Sequence, residues 1–147
     1  MAYSREEVYE ALKTSIENLS LFSTVSRKLA MWDQVPTEEQ PYLGISQANE
    51  TSDIVTGLPA CWIWKLDLYI YVKAVGDELP STKLNSLLDQ VCAAINCMHP
   101  VTGKNDLGMP GVVEYCRVQG TIETDEGTLG DQAVAIVPVL IYVVQQP

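Results

Sequence analysis

Alternation of apolar and polar residues is strongest between residues 61 and 74. Every second position there is apolar: Trp62, Trp64, Leu66, Leu68, Ile70, Val72 and Ala74. The positions between them carry tyrosines and charges: Cys61, Ile63, Lys65, Asp67, Tyr69, Tyr71 and Lys73. Because successive side chains of a strand point to opposite faces, this pattern predicts a long strand with one buried face. A strand of this length needs neighbours, so we expect it at the centre of a sheet.

Helical spacing of apolar residues marks one segment before this strand and one after it. Ser4 and Glu7 have the spacing of a capping box, and an apolar stripe follows them: Val8, Ala11, Leu12, Ile16 and Leu19. The clearest stripe predicts a helix over residues 81–98, capped by Ser81 or Thr82 and ended by Pro100. We expect that helix to pack on the tryptophan-bearing face of the central strand through Leu84, Leu88, Val91 and Ile95.

Four further strands complete the expected sheet. They are predicted at residues 24–32, 42–46, 112–123 and 133–144. Long polar connections are expected at residues 47–59 and 101–111, with a turn at 124–130. Both faces of the last strand are apolar, as in a strand covered on two sides, yet Pro138 cannot donate to a strand ladder. A bulge or an open edge is therefore predicted at Pro138.

The order of elements predicts an α+β fold, a mainly antiparallel sheet with two helices packed on one face. A chain of 147 residues with 47% hydrophobic residues forms one domain, residues 1–147, with a sizeable core. No internal repeat divides it.

Charge narrows the function classes. The chain has 19 acidic and 9 basic residues, a net charge of −10, which argues against binding nucleic acid by neutralising phosphates. The polar, charged start does not look like a signal peptide, and the longest apolar run, residues 133–144, is too short for a membrane helix. We therefore expect a soluble protein without a membrane partner.

Candidate chemistry is sparse. The four cysteines lack metal-ligand spacing, and His99 is the single histidine, so we expect no enzymatic activity, no metal and no cofactor. The glycine-rich segment 101–111 lacks phosphate-loop spacing around Lys104, and the acidic segment near Glu126 lacks calcium-loop spacing.

Several sequence landmarks occur in an order that resembles a known family. They are Gln40-Pro41-Tyr42-Leu43, the Leu-Pro and Trp-x-Trp pattern at 58–72, the Pro-x-x-x-Leu-Asn-x-Leu-Leu-Asp pattern at 80–89, Asp106-Leu107-Gly108 before Val112-Val113, and Gly-x-Ile-x-x-Asp-Glu-Gly at 120–127. Their order and spacing resemble the tail terminator, or tail completion, proteins of long-tailed bacteriophages. The resemblance covers scattered blocks between about residues 24 and 144.

The resemblance implies a non-enzymatic virion protein that assembles in the host cytoplasm. Such proteins form a homohexameric ring that caps the tail tube, stops its polymerisation and joins the tail to the neck or head connector. DNA would pass through the ring lumen without specific binding, and an acidic lumen would suit that passage. Two alternatives stay open: another ring-forming neck or head–tail joining component, and a small-molecule-binding module that uses Tyr69 and Tyr71.

Loops carry recognition on a rigid sheet, so the two long connections supply the candidate contacts with tube or connector. These candidates are Thr51, Asp53, Ile54, Val55, Lys104, Asn105, Asp106 and Met109. The lumen candidates are Glu123, Asp125 and Glu126.

Overall fold

A computed structural model describes residues 3–53, 57, 61–97, 100–101, 103–126 and 130–144. Within these ranges the chain forms two α-helices and six strands. The helices are α1 (Arg5–Glu17) and α2 (Pro80–Ile95). The strands are β1 (Thr24–Ser26), β2 (Tyr42–Asp53), β3 (Cys61–Lys73), β4 (Val113–Val118), β5 (Glu123–Glu126) and β6 (Gln132–Val143).

The strands form one sheet in the order β1-β2-β3-β6-β4, and β5 pairs with β6 on the same side as β4. Only the short β1–β2 pair is parallel among the described strand pairs. The two long strands β3 and β6 run antiparallel at the centre, from Trp62 opposite Val143 to Lys73 opposite Gln132. The α+β fold with a mainly antiparallel sheet is thus confirmed.

Both helices cover the same face of this sheet, which we call the helix face. Trp64 lies there with no exposed surface, and its ring stacks on Tyr9 of α1 with centroids 5.4 Å apart. The core continues from Leu43 and Ile45 of β2 across to Ile141 of β6. The predicted capping box of α1 is present, because Ser4 Oγ accepts from the Glu7 amide and Glu7 Oε2 accepts from the Ser4 amide.

The second helix differs in two details from its sequence prediction. Pro80 occupies its first turn and Leu79 is the N-cap residue, so neither Ser81 nor Thr82 caps it. Proline suits this position because its missing N–H has no intrahelical partner there. The buried residues of α2 are Leu84, Leu87, Val91 and Ile95, whereas Leu88 is only half-buried at the margin of the core.

Strand boundaries depart from the sequence pattern at both ends of the sheet. The predicted strand 24–32 ends at Ser26, whose hydroxyl accepts from the Lys28 amide and bends the chain. Conversely, β2 continues through the polar residues 47–53, which were predicted to be loop. Pairing with β3 satisfies the backbone hydrogen-bonding groups on the inner side of β2. A strand at the margin of a sheet also tolerates polar side chains on its exposed surface.

The predicted strand 112–123 is split into β4 and β5, and Pro138 explains the split. Pro138 does not lie at an open edge, because β6 pairs with β3 on one side and with β4 and β5 on the other. The Pro138 carbonyl accepts from the Gln119 amide at 3.1 Å, so its nitrogen, which has no hydrogen, also faces residues 119–122. The partner strand is interrupted where β6 offers no donor.

Substitution of two adjacent leucines tests the packing of α2. Leu87→Ala should lower the free energy of unfolding by about 2–5 kcal/mol, because it opens a cavity in the core. Leu88→Ala is the matched control and should cost less, since its side chain is already partly exposed. Urea titration followed by tryptophan fluorescence measures both. Equal losses for the two variants would contradict this packing.

Gly120→Ala tests the interruption opposite Pro138. A Cβ atom at residue 120 would lie 2.9 Å from Pro138 Cγ, and the φ angle of +129° disfavours any L side chain. We expect destabilisation of about 1–3 kcal/mol. Gly111→Ala is the control, because its φ of +81° imposes strain while nothing lies within 4 Å of the added carbon. Thermal unfolding should show the larger loss for Gly120→Ala.

Candidate functional site: the open face of the sheet

The face of the sheet opposite the helices, which we call the open face, carries the chemically mixed residues. Its strands are aligned so that Asp67 of β3 lies opposite Pro138 at the middle of β6. The β6 side chains on this face form an apolar midline: Val134, Ile136, Pro138, Leu140 and Tyr142. Four of these five remain partly exposed, and Leu140 is buried. Polar and charged residues of β3, β4 and β5 flank the midline.

Residues 28–40, which we call the strap, cross one end of the open face. Two stacked tyrosines hold the strap, Tyr42 and Tyr71, with ring centroids 5.4 Å apart. Their hydroxyls donate to the carbonyls of Lys28 and Ala30, each at 2.7 Å. Val35 of the strap is buried against the two rings. This end of the face is therefore closed by the chain itself, and Tyr71 is engaged in structure.

Ionisation of Tyr71 is opposed by this environment. Burial raises the pKa of its hydroxyl to about 12, and the neighbouring Tyr42 and Tyr69 add to the rise. A phenolate at this position would lose its role as a donor to the Ala30 carbonyl. Ionisation of Tyr71 would therefore weaken the attachment of the strap at this end of the open face.

A groove of about 590 Å³ lies beside the strap. Trp32 forms one wall, the β5 residues Glu123 and Asp125 form the other, and Val134 and Ile136 form an apolar floor. Burial raises the pKa of the nearby Asp67 carboxyl, and the charge of Glu123 raises it further. An aromatic wall, two carboxylates and an apolar floor together suit a cationic side chain with an aliphatic stem.

The opposite end of the open face carries an aromatic pair and an arginine. Tyr115 of β4 stacks on Tyr142 of β6 with centroids 5.3 Å apart. The Arg117 guanidinium lies 4.7 Å from the centroid of the Tyr115 ring, and its Nε donates to Gln119 Oε1 at 2.8 Å. Among the described residues no carboxylate forms an ion pair with Arg117. We call this group the basic corner.

The outer edge of β4 is occupied by polar groups of the same chain. The Cys116 amide donates to the Asn105 carbonyl, and the Val118 amide donates to Asn96 Oδ1, both at 2.8 Å. Asn105 also donates from Nδ2 to the Ile95 carbonyl at the end of α2. Two asparagines thus fasten α2 and the following loop to the sheet and protect this edge from pairing with another strand.

The predicted contact residues of the second loop surround this fastening. Lys104 forms an ion pair with Glu114, and Asp106 Oδ1 accepts from the Gly108 amide. Met109 packs at the margin of the core, and its carbonyl accepts from the amides of Val112 and Val113. Asn105, Asp106 and Met109 therefore have structural roles, and their contact with a partner stays a prediction.

The remaining predicted contact residues belong to the first connection. Thr51 is exposed on β2 opposite Ile63, and the backbone of Asp53 pairs with Cys61 at the end of the strand. Ile54 and Val55 lie outside the described residues, as does His99. Partner contact at Thr51 also stays a prediction.

The three predicted lumen residues divide between the two faces of β5. Glu123 and Asp125 pair with Ile136 and Val134 on the open face, whereas Glu126 pairs with Ala133 on the other face. All three side chains are exposed. The described residues contain no group of three or more potential metal ligands. Separately, burial raises the pKa of the Cys116 thiol to about 12.

Sequence reasoning missed the part of Trp32 and Arg117 in this surface. Trp32 was placed at the end of a strand, but it lies in a 3-10 turn of the strap (Trp32–Gln34) and walls the groove. Tyr115 and Arg117 are two residues apart in the predicted strand 112–123, so alternation puts them on one face. No local pattern indicated that Tyr115 stacks on Tyr142, because that contact depends on the register between β4 and β6.

No family model matches this chain, and no curated protein matches it. Among solved structures, a protein whose name is only a sequence identifier matches with a TM-score of 0.50 over 99% of each chain, at 18% sequence identity. A likeness at this identity concerns the fold alone. It supports the architecture of the sheet and its two helices and adds no chemistry. Among the described helices, none has both the length and the apolarity that crossing a bilayer requires.

Tyr71→Phe tests the closed end of the open face. At pH 7 the variant should lose about 0.5–1.5 kcal/mol, because the Ala30 carbonyl loses its donor. Folding raises the pKa of Tyr71 from 10.0 to about 12, so the contribution of Tyr71 to the free energy of unfolding is complete below pH 10 and is lost as the pH rises through 12. Tyr71→Phe should show a smaller alkaline loss.

Urea midpoints at pH 7 and pH 11 measure both effects. Tyr69→Phe is the matched control on the same strand and face. It should leave the midpoint at pH 7 close to that of the wild type. It should reduce the alkaline loss less than Tyr71→Phe does, because burial, and not the neighbouring Tyr69, is the main cause of the raised pKa of Tyr71. An alkaline loss in Tyr71→Phe as large as that of the wild type would show that Tyr71 does not contribute to it.

Proposed function

We propose that this chain is a structural virion protein that forms a ring, caps a tail tube, ends its polymerisation and joins the tail to a neck or head connector. Its partners are then further copies of itself, the tail tube protein and the connector protein. The sequence landmarks that resemble tail terminator proteins support the proposal, as does the α+β architecture. The mechanism is assembly by complementary surfaces, without covalent chemistry.

The observation that carries the proposal is the one-sided covering of the sheet. Both helices lie on the helix face, while the strap covers only one end of the open face. The rest presents the partly exposed midline of β6 between charged residues such as Lys65 and Arg117. An apolar centre with a polar rim is the usual composition of a protein–protein interface. A subunit with such a face is suited to packing against a neighbour.

The charge of the chain suits the same role. A net charge of −10 keeps the wall of a channel from adhering to DNA phosphates, provided that carboxylates line the lumen. Glu126 is a candidate for the lumen wall, because it projects from β5 on the side away from the open face. Glu123 and Asp125 were candidates as well, although both line the groove beside Trp32.

A second virion function, a ring in the neck or at the head–tail joint, would use the same surface. The open face favours assembly of copies and does not depend on which structure the ring caps. The two functions differ in their effect on tail length. Loss of a terminator yields tails of uncontrolled length, whereas loss of a neck ring leaves tails of normal length that do not join heads.

Electron microscopy and native mass spectrometry of the purified chain test the proposal. We expect closed rings with a mass of six times the 16.2 kDa chain. In a virus that lacks this protein, tails should have uncontrolled lengths, and supply of the wild-type chain should restore one length. Tails of normal length in its absence would contradict the terminator function, and a chain that stays monomeric at high concentration would contradict the ring.

A further inference from the structure

We propose that the groove beside Trp32 binds Arg117 of a second copy of this chain, so that copies join head to tail through opposite ends of their open faces. This inference rests on the proposed ring in one respect only, since a ring needs a contact of this heterologous kind. It specifies the two surfaces that meet. The contact itself is a property of the isolated chain and can be tested without any virus.

The groove has the composition of a receptor for an arginine side chain. Glu123 and Asp125 provide two carboxylates on one wall, and the indole ring of Trp32 provides the other. A guanidinium binds carboxylates through its planar set of donors and also stacks on aromatic rings. Its aliphatic stem would cover Val134 and Ile136, which are partly exposed on the floor.

Arg117 has the matching properties. It is exposed, yet the Tyr115 ring and Gln119 hold its guanidinium in one position. Ordering of the side chain before binding lowers the entropy that association must overcome. Lys65 lies in the same row of the sheet, opposite Leu140, and makes that end of the face more basic. A second copy therefore presents an ordered cation beside the Tyr115–Tyr142 pair.

The spacing of the two surfaces makes the contact intermolecular. Arg117 lies opposite Leu140 and Glu123 lies opposite Ile136, so four residues of β6, or about 13 Å, separate their rows. Within one chain the guanidinium is turned onto Tyr115, which pairs with Tyr142 still further from the groove. Each copy can therefore offer Arg117 to one neighbour and its groove to another, which is the condition for a closed ring.

Charge reversal tests the contact. Arg117→Glu and Glu123→Arg should each weaken self-association about tenfold or more, because each places like charges together in the contact. The double variant, Arg117→Glu with Glu123→Arg, should regain most of the affinity, since the two charges are exchanged. Sedimentation velocity over a concentration series measures the dissociation constants, and circular dichroism verifies that each variant is folded.

Matched controls place the same charge changes on α2, behind the sheet. Lys83→Glu changes the net charge as Arg117→Glu does, and Asp89→Lys changes it as Glu123→Arg does. Both controls should leave the dissociation constant within about twofold of the wild type. Trp32→Ala should weaken association as well, because it removes one wall of the groove, whereas Trp32→Phe should retain most of the affinity.

The outcomes separate this inference from the proposed function. Single reversals that associate like the wild type, or a double variant no better than the singles, would overturn the contact while the ring could form through other surfaces. A wild-type chain that does not self-associate would overturn the contact directly. The double variant could regain affinity while a virus that lacks this protein makes tails of normal length. That result would support the contact and reject the terminator function.

Discussion

One-sided burial of the central pair β3–β6 is the constraint on which the rest of the structure depends. Each of these strands places every second side chain in the core, and Trp64 of β3 has no exposed surface. A sheet with one such face needs a cover, and α1 and α2 provide it. Once both helices lie on the helix face, the strap is the only part of the described chain that covers the other face. The distribution of function-bearing residues follows from that asymmetry.

At the margins of the sheet, polar contacts more than apolar burial hold the neighbouring segments in place. Asn96 and Asn105 accept the two outward amides of β4, so this edge does not invite another strand. On the other side, Arg5 pairs with Glu50, and Arg27 pairs with Glu6 and Glu10, which fastens α1 to the β1–β2 margin. These exposed pairs contribute little stability each. Their value lies in fixing the register of helix and sheet.

Elements with a strict period were predictable from the sequence. The alternation in β3 and the stripe of α2 follow from burial on one face, and the capping box at Ser4 follows from local hydrogen bonding. The polar half of β2 was not predictable, because pairing with β3 and not its own composition makes it a strand. The break between β4 and β5 at residues 119–122 also had no signal in its own sequence, since its cause is Pro138 on the neighbouring strand.

The candidate surface was predictable only in part, for the same reason. Alternation assigned Tyr115 and Arg117 to one face, but the groove joins Trp32 to β5 and β6, which are about 90 to 100 residues later in the chain. Contacts of this separation depend on the topology of the sheet. Asn105 shows the converse case, in which a polar loop residue that resembles a recognition site is engaged in backbone hydrogen bonds.

Segregation of charge on the open face resolves an apparent conflict between a net charge of −10 and self-association. At physiological ionic strength the Debye length is about 8 Å, so charges on one chain are screened from distant charges on its neighbour. The basic corner and the acidic groove lie about 13 Å apart along β6, beyond that length. Each end of the face is then recognised by its local charge. Low salt should expose the repulsion of the whole chain, and moderate salt should let the complementary ends meet.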